Sequence, residues 1–129
     1  MVFGRRVSAD VAEQFAADQE LAATYSDRLA VVEAKERQLR HAQAERRTAG
    51  EQRALAGELD AELLAAISAA EAAERVVMGT GSYGTERPAE IARRKARAKA
   101  SVRPYTGEVV RLRTAREAHK LSYRSFARV

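Results

Sequence analysis

The amino-acid sequence predicts an all-α protein: a long helical hairpin or coiled coil, followed by a glycine hinge and one or two shorter basic helices. Three observations predict this fold. Residues 8–78 contain no proline and are rich in Ala, Glu, Arg, Gln and Leu, which favour helix. Apolar residues recur there at helical spacing, and aromatic residues make up only 5% of the chain. A thin bundle or coiled coil therefore fits better than a thick globular core.

The first helix is expected to begin after Ser8, whose hydroxyl can cap it, with Asp10 adding negative charge near the helix N-terminus. Apolar residues then follow a heptad that Asp18 and Glu36 interrupt. The large apolar residues of this region are predicted to form one self-association face, which a hairpin or an oligomeric contact buries. They are Phe15, Tyr25, Leu29, Val32, Leu39, Leu55, Leu59, Leu63 and Ile67.

The apolar pattern stops between residues 41 and 53, and two interpretations follow. The chain turns near Thr48–Gly50, with Gly50 in the left-handed conformation that ends many helices, or the helix continues. A continuous rod would reach about 100 Å and would need a partner chain to cover its apolar stripe. We favour the turn, which makes the two arms an antiparallel helical hairpin. The many alanines of residues 65–73 allow the arms to approach closely.

The charges divide the chain into an acidic and a basic part. Residues 1–84 carry 10 Lys/Arg and 14 Asp/Glu, whereas residues 85–129 carry 13 and 4. The basic part is expected either to contact a polyanionic partner or to neutralise the acidic arms of its own assembly. The cations expected to make a polyanion or nucleic-acid contact are Arg93, Arg94, Lys95, Arg97, Lys99, Arg103, Arg111, Arg113, Arg116, Lys120 and Arg124.

Residues 79–84 match the pattern G-x-G-x-x-G and resemble the glycine-rich loop of protein kinases over this short stretch alone. That resemblance would imply nucleotide binding. The chain lacks the V-A-I-K, H-R-D and D-F-G motifs of kinases, and no strand is expected before the glycines, as a dinucleotide-binding fold requires. We interpret the segment as a flexible hinge between helices.

The basic part is expected to form a helix from Pro88 to about Ala100, ended by Arg103–Pro104. A second helix is expected from Thr106 or Glu108, although residues 110–114 also alternate like a strand. Three aromatic residues lie among the cations: Tyr105, Tyr123 and Phe126. They could stack on bases, but a small core is the favoured interpretation.

Residues that carry out catalysis or bind metals are not evident. The chain has no cysteine, and neither His41 nor His119 lies in a metal-binding motif. The carboxylates of Glu58, Asp60 and Glu62 are spaced by two residues, so a helix does not bring them together. The sequence therefore predicts a protein that is not an enzyme and binds no cofactor, metal or small-molecule substrate.

Three regions result: residues 1–78, the helical hairpin or coiled coil; residues 79–87, the glycine-rich hinge; and residues 88–129, the basic C-terminal region. We expect a structural or interaction protein that forms a homo-oligomer or a larger assembly and contacts a polyanion, such as a component of a phage particle or nucleoprotein complex. The alternatives are a sequence-nonspecific nucleic-acid-binding accessory protein and a membrane-surface protein. No apolar run is long enough to span a bilayer, and the cytoplasm or the interior of a particle is the expected location.

Overall fold

The computed structural model describes the backbone of residues 7–124 and the side chains of residues 7–123. This part of the chain is helical with no strand, which confirms the all-α prediction. A short 3-10 turn, Thr80–Ser82, follows the third helix. The five helices are α1 (Ala9–Ala23), α2 (Tyr25–Ala44), α3 (Ala49–Met78), α4 (Arg87–Arg97) and α5 (Arg103–Arg124).

The first helix begins at the predicted cap and is interrupted once. The Ser8 hydroxyl accepts the N–H of Val11 at 3.1 Å. At Thr24 the helix breaks, and α2 starts directly after it. The Thr24 hydroxyl donates to the Leu21 carbonyl at 2.6 Å and accepts Nε of Arg28 at 3.0 Å. This side chain competes for helix hydrogen bonds, which accounts for a break that the sequence analysis did not predict.

The turn between α2 and α3 covers residues 45–48, so the expected role of Gly50 was wrong. Gly50 lies in the first turn of α3, and Arg46 takes the left-handed conformation with φ 55°. The Thr48 hydroxyl accepts the N–H of Glu51 at 3.1 Å and caps α3. This Thr-x-x-Glu pattern is typical of the start of a helix. It begins α3 one residue before Gly50, so the glycine lies inside α3 and does not end the preceding helix.

The helix α3 runs antiparallel to α1 and α2. Near its C-terminal end, Arg75 contacts Asp18 of α1 at 2.8 Å. Closer to its N-terminal end, Glu58 lies 3.5 Å from Lys35 of α2. Along α1 and α2 the contact with the C-terminal part of α3 comes first, and the contact with its N-terminal part comes second. The helices α1 and α2 therefore line one side of α3 and run antiparallel to it.

The helix α5 covers another side of α3, also antiparallel to it. The hydroxyl of Thr106, near the start of α5, donates to Glu74 at 2.6 Å. Further along, Nε of Arg116 lies 2.9 Å from Oδ1 of Asp60. The helix α3 is thus the central element, and the other long helices pack on it.

One core joins α2, α3 and α5 within a single chain. Three alanines of α3, Ala66, Ala69 and Ala72, are 0% exposed and allow the close approach that the sequence predicts. The core residues are Val32, Leu39, Ala56, Leu59, Leu63, Ala66, Ile67, Ala70, Val109 and Leu112, with Tyr25, Leu29, Leu55 and Tyr123 packed against them. All members of the predicted self-association face except Phe15 are therefore in or against the core of one chain.

The C-terminal half differs from expectation in its boundaries. Pro88 lies in the first turn of α4, as predicted, but the helix ends at Arg97 and does not reach Ala100. Pro104 lies in the first turn of α5, where the missing N–H costs no helix hydrogen bond, so the expectation that it only ends a helix was wrong. Residues 110–114 are helical, and the strand alternative is wrong.

Two neighbouring leucines of α3 give a direct test of this packing. Leu63 is 4% exposed and Leu64 is 48% exposed. We expect Leu63→Ala to lower the free energy of unfolding by about 2–5 kcal/mol, because it leaves a cavity in the core. The matched control Leu64→Ala should cost less than about 1 kcal/mol. Urea denaturation followed by circular dichroism measures both, and equal losses would contradict the described orientation of α3.

Candidate anion-binding surface and its charge network

The helix α4 is attached to the rest of the chain through one narrow face. Ala89 and Ala96 on this face are buried. Arg93 extends from the same side, and its Nη1 donates to the carbonyls of Ser82 at 2.8 Å and Gly84 at 2.7 Å. The predicted polyanion-binding residue Arg93 is therefore engaged in holding the backbone that precedes α4.

The opposite side of α4 carries cations that face solvent. We call Arg87, Arg94 and Lys95, together with Lys99 just after the end of the helix, the α4 ridge; all four are exposed. None of these side chains forms an ion pair or hydrogen bond with any residue that the structure describes. Ile91 lies among them and is 41% exposed. The ridge is thus a positively charged surface with one apolar side chain in it.

Other cations of the basic half are paired with carboxylates of α3. The three ion pairs that cross between these parts are Arg97 with Glu74 (4.0 Å), Arg113 with Glu71, and Arg116 with Asp60 (2.9 Å). The guanidinium of Arg116 contacts both carboxylate oxygens of Asp60, and its hydrogen bond holds the pKa of Asp60 below the usual value. These arginines help to attach the basic half to α3. An external partner would have to break these pairs to use their charge.

The remaining predicted cations lie on α5 or at its start. Within the chain, Arg111 contacts Glu108, Lys120 contacts Glu117, and Arg103 donates to the Ala98 carbonyl. Glu108 also accepts the hydroxyl of Tyr25, and burial together with this carboxylate raises the pKa of Tyr25 to about 12. Bonding to Arg111 and then to Tyr25 lowers the pKa of Glu108. The side chain of Arg124 lies outside the described residues.

A second charge cluster, which we call the Asp18 clamp, joins α1, α3 and the glycine segment. Asp18 accepts Nε of Arg75 at 2.8 Å and Nη2 at 2.9 Å, and it also accepts the hydroxyl of Tyr83. The Tyr83 ring meets Phe15 edge-on, with 6.0 Å between centroids. Sequence reasoning treated Asp18 only as an interruption of the apolar seam, although a carboxylate at a seam position is itself a signal for a buried ion pair.

The pKa values of the clamp follow from these contacts. The hydrogen bond from Arg75 lowers the pKa of Asp18, burial opposes this, and the bond from Tyr83 lowers it further. Burial, followed by the bond to Asp18, raises the pKa of Tyr83. At neutral pH the clamp is therefore an ionised carboxylate held by a guanidinium and a phenol.

Part of the backbone of the glycine segment is engaged in hydrogen bonds within the segment. Gly79 and Gly84 have φ values of 92° and 113°, which explains a glycine at each position. The N–H groups of Ser82 and Tyr83 donate to carbonyls within the segment. A phosphate-binding loop needs such N–H groups free, so this geometry does not favour nucleotide binding. Movement of the segment as a hinge stays a prediction.

The aromatic side chains of the basic half lie in different environments. Tyr123 packs beside His119, with 5.0 Å between ring centroids, and its hydroxyl accepts a hydrogen bond from Gln43 at 2.8 Å. Tyr105 is 40% exposed. Phe126 lies outside the described residues. The core interpretation thus fits Tyr123, whereas Tyr105 is accessible from solvent.

Comparison with protein-family models, curated proteins and solved structures finds no match for this chain. Among the described side chains, no group of three or more His, Asp or Glu residues is placed to hold a metal ion. Within residues 7–124, no helix is both long and apolar enough to cross a membrane.

The Asp18 clamp predicts a defined dependence of stability on pH. Since the pKa of Asp18 is lowered on folding, its contribution is present above the ordinary value of 3.8 and is lost as pH falls through the native value. Because Arg75 is partly exposed, we expect Asp18→Asn to cost about 1–3 kcal/mol at pH 7. The difference from wild type should shrink as pH falls from about 5 to about 2.

Denaturation at several pH values measures this difference. Glu33→Gln is the control, because Glu33 is exposed inside α2 and has no partner among the described side chains. It should leave stability at pH 7 nearly unchanged. A constant difference between Asp18→Asn and wild type across the acid range would contradict the clamp.

Proposed function

We propose that this chain is a non-enzymatic interaction protein, and that the α4 ridge binds an anionic macromolecular partner. One observation carries the proposal. The chain places carboxylates beside Arg97, Arg113 and Arg116, yet it leaves the four cations of the α4 ridge without any acidic partner among the described residues. An external partner can therefore use the charges of the α4 ridge without breaking an existing pair.

The electrostatics of α4 support this proposal. Between residues 87 and 99 the chain has six cations and one carboxylate, Glu90. Like charges within one or two turns of a helix repel one another and destabilise it. An anionic surface removes this repulsion and releases the counterions that otherwise accompany the partner's charges. Binding through the ridge should therefore be strong at low salt and weak at high salt.

The shape of the surface supports a binding role more than a catalytic one. The groove beside the Asp18 clamp has a volume of about 540 Å³ and is lined by Asp18, Arg75 and Arg93, among others. Asp18 and Arg75 neutralise each other, and Arg93 holds backbone carbonyls. The raised pKa of Tyr83 favours a protonated hydroxyl that donates to Asp18. None of these groups is free to act as a nucleophile or base.

The other functions considered from the sequence rank lower. A membrane surface requires a bulky apolar face, and the outward side of α4 offers Ile91 alone. Self-association through the predicted apolar face ranks lower, because the large apolar residues of α2 and α3 are already packed together with α5 in the core of one chain. We retain the glycine segment as the hinge that connects α4 to the helical hairpin, and the cytoplasm or a particle interior as the location of a chain without cysteine.

Charge removal on the ridge tests the proposal. The variant Arg87→Gln/Arg94→Gln/Lys95→Gln should bind a short labelled DNA duplex, used as a polyanion probe, more weakly than wild type. The slope of log affinity against log salt concentration should become less steep by about 3, one unit for each lost contact. Fluorescence anisotropy at several salt concentrations measures both quantities.

The control removes the same charge elsewhere. Arg37, Arg46 and Arg53 are exposed and unpaired among the described residues. Replacing these three with Gln gives a control variant with the same net charge as the ridge variant. The control variant should lose much less affinity for the DNA duplex than the ridge variant does. Equal losses in both triple variants, or no DNA binding by wild type that is monomeric at low salt, would count against a dedicated surface on α4.

A further inference from the structure

The helix α1 carries an acidic surface that has no partner in the described chain. Glu13 and Glu20 are exposed, and neither forms an ion pair or hydrogen bond with a described residue. They are seven residues apart on α1, which is two helical turns or about 10.5 Å. Ala16 lies between them on the same side and is also exposed. We call Glu13, Ala16 and Glu20 the α1 stripe.

The α4 ridge has the same spacing with the opposite charge. Arg87 and Arg94 are also seven residues apart, and the exposed Ile91 lies between them. Ile91 is four residues after Arg87 and three before Arg94. On the stripe, Ala16 is four residues before Glu20 and three after Glu13. The two patterns therefore match when the helices run in opposite directions.

We infer that the anionic partner of the α4 ridge is the α1 stripe of a second copy of this chain, an inference that rests on the proposed function. In the antiparallel register, Arg87 meets Glu20 and Arg94 meets Glu13. The remaining pair is Ile91 against Ala16, where the small side chain leaves room for the larger one. Each of these three pairs is then complementary in charge or in size.

The presence of both surfaces on one chain favours a second copy over a nucleic acid as this partner. A nucleic acid could pair with the cations of the α4 ridge alone, because it has no cation for the carboxylates of Glu13 and Glu20. A second copy uses both surfaces.

Charge reversal tests the contact with the full chain. Wild type should self-associate in sedimentation velocity at about 50 mM salt and dissociate at about 500 mM, because screening weakens exposed ion pairs. Arg87→Glu/Arg94→Glu should be monomeric, and so should Glu13→Lys/Glu20→Lys. An equimolar mixture of the two variants should associate again, since each reversed surface then meets an oppositely charged one. A chain with all four changes should associate with itself.

The control reverses two carboxylates that the register leaves outside the contact. Asp27 and Glu33 are exposed on α2. In the antiparallel register, the residues that would face them lie before the start of α4, so neither carboxylate takes part in the contact. Asp27→Lys/Glu33→Lys should associate like wild type. Recovery in the mixture shows in addition that the reversed variants are folded. Wild type that stays monomeric at concentrations up to about 1 mM, or a mixture that does not recover, overturns the inference.

Binding to the DNA duplex separates this inference from the proposed function. If wild type is monomeric but binds DNA through the ridge, the proposed function holds, the partner is a nucleic acid and the second-copy contact is wrong. If Glu13→Lys/Glu20→Lys loses self-association while DNA binding persists, the second-copy contact is supported. Absence of both activities in wild type contradicts both proposals.

Discussion

The fold depends on one constraint: neighbouring helices must pack closely against α3 on more than one side. Ala66, Ala69 and Ala72 are fully buried, and side chains this small exclude water only when neighbouring helices come very close. The paired helices α1 and α2 supply one cover and α5 supplies another. Hydrophobic burial is therefore spread along a thin interface, and each large apolar residue in it contributes a sizeable share of the stability.

Charge pairs at the edges of this interface set how the helices are aligned. Asp18 with Arg75, and Asp60 with Arg116, each join two helices through a guanidinium that contacts both carboxylate oxygens. Such paired hydrogen bonds have a defined geometry, so they fix the register of helices whose alanine-rich surfaces could otherwise slide. The acidic and basic parts of the sequence thus act partly on each other, and only the remaining cations, above all on α4, are available externally.

The sequence predicted the helices well and their ends less well. The cap at Ser8 followed from a local rule, but at the second turn the glycine rule was applied to Gly50 although Thr48 and the Glu three residues later predict a helix start. The cationic character of the basic half was visible from composition. Which cations are free was not, because Arg113 is paired with Glu71, 42 residues away, and such pairings depend on tertiary packing.

The position of α5 after α3 in the chain has a consequence for synthesis. At about 5–20 residues per second, residues 79–124 follow α3 out of the ribosome over roughly 2–9 seconds. During this interval α3 can pair with α1 and α2, but the side that Val109 and Leu112 cover in the finished fold remains exposed to water. Nascent or truncated chains that stop before α5 should therefore present a long apolar strip, which is the kind of surface that chaperones bind and that leads to aggregation.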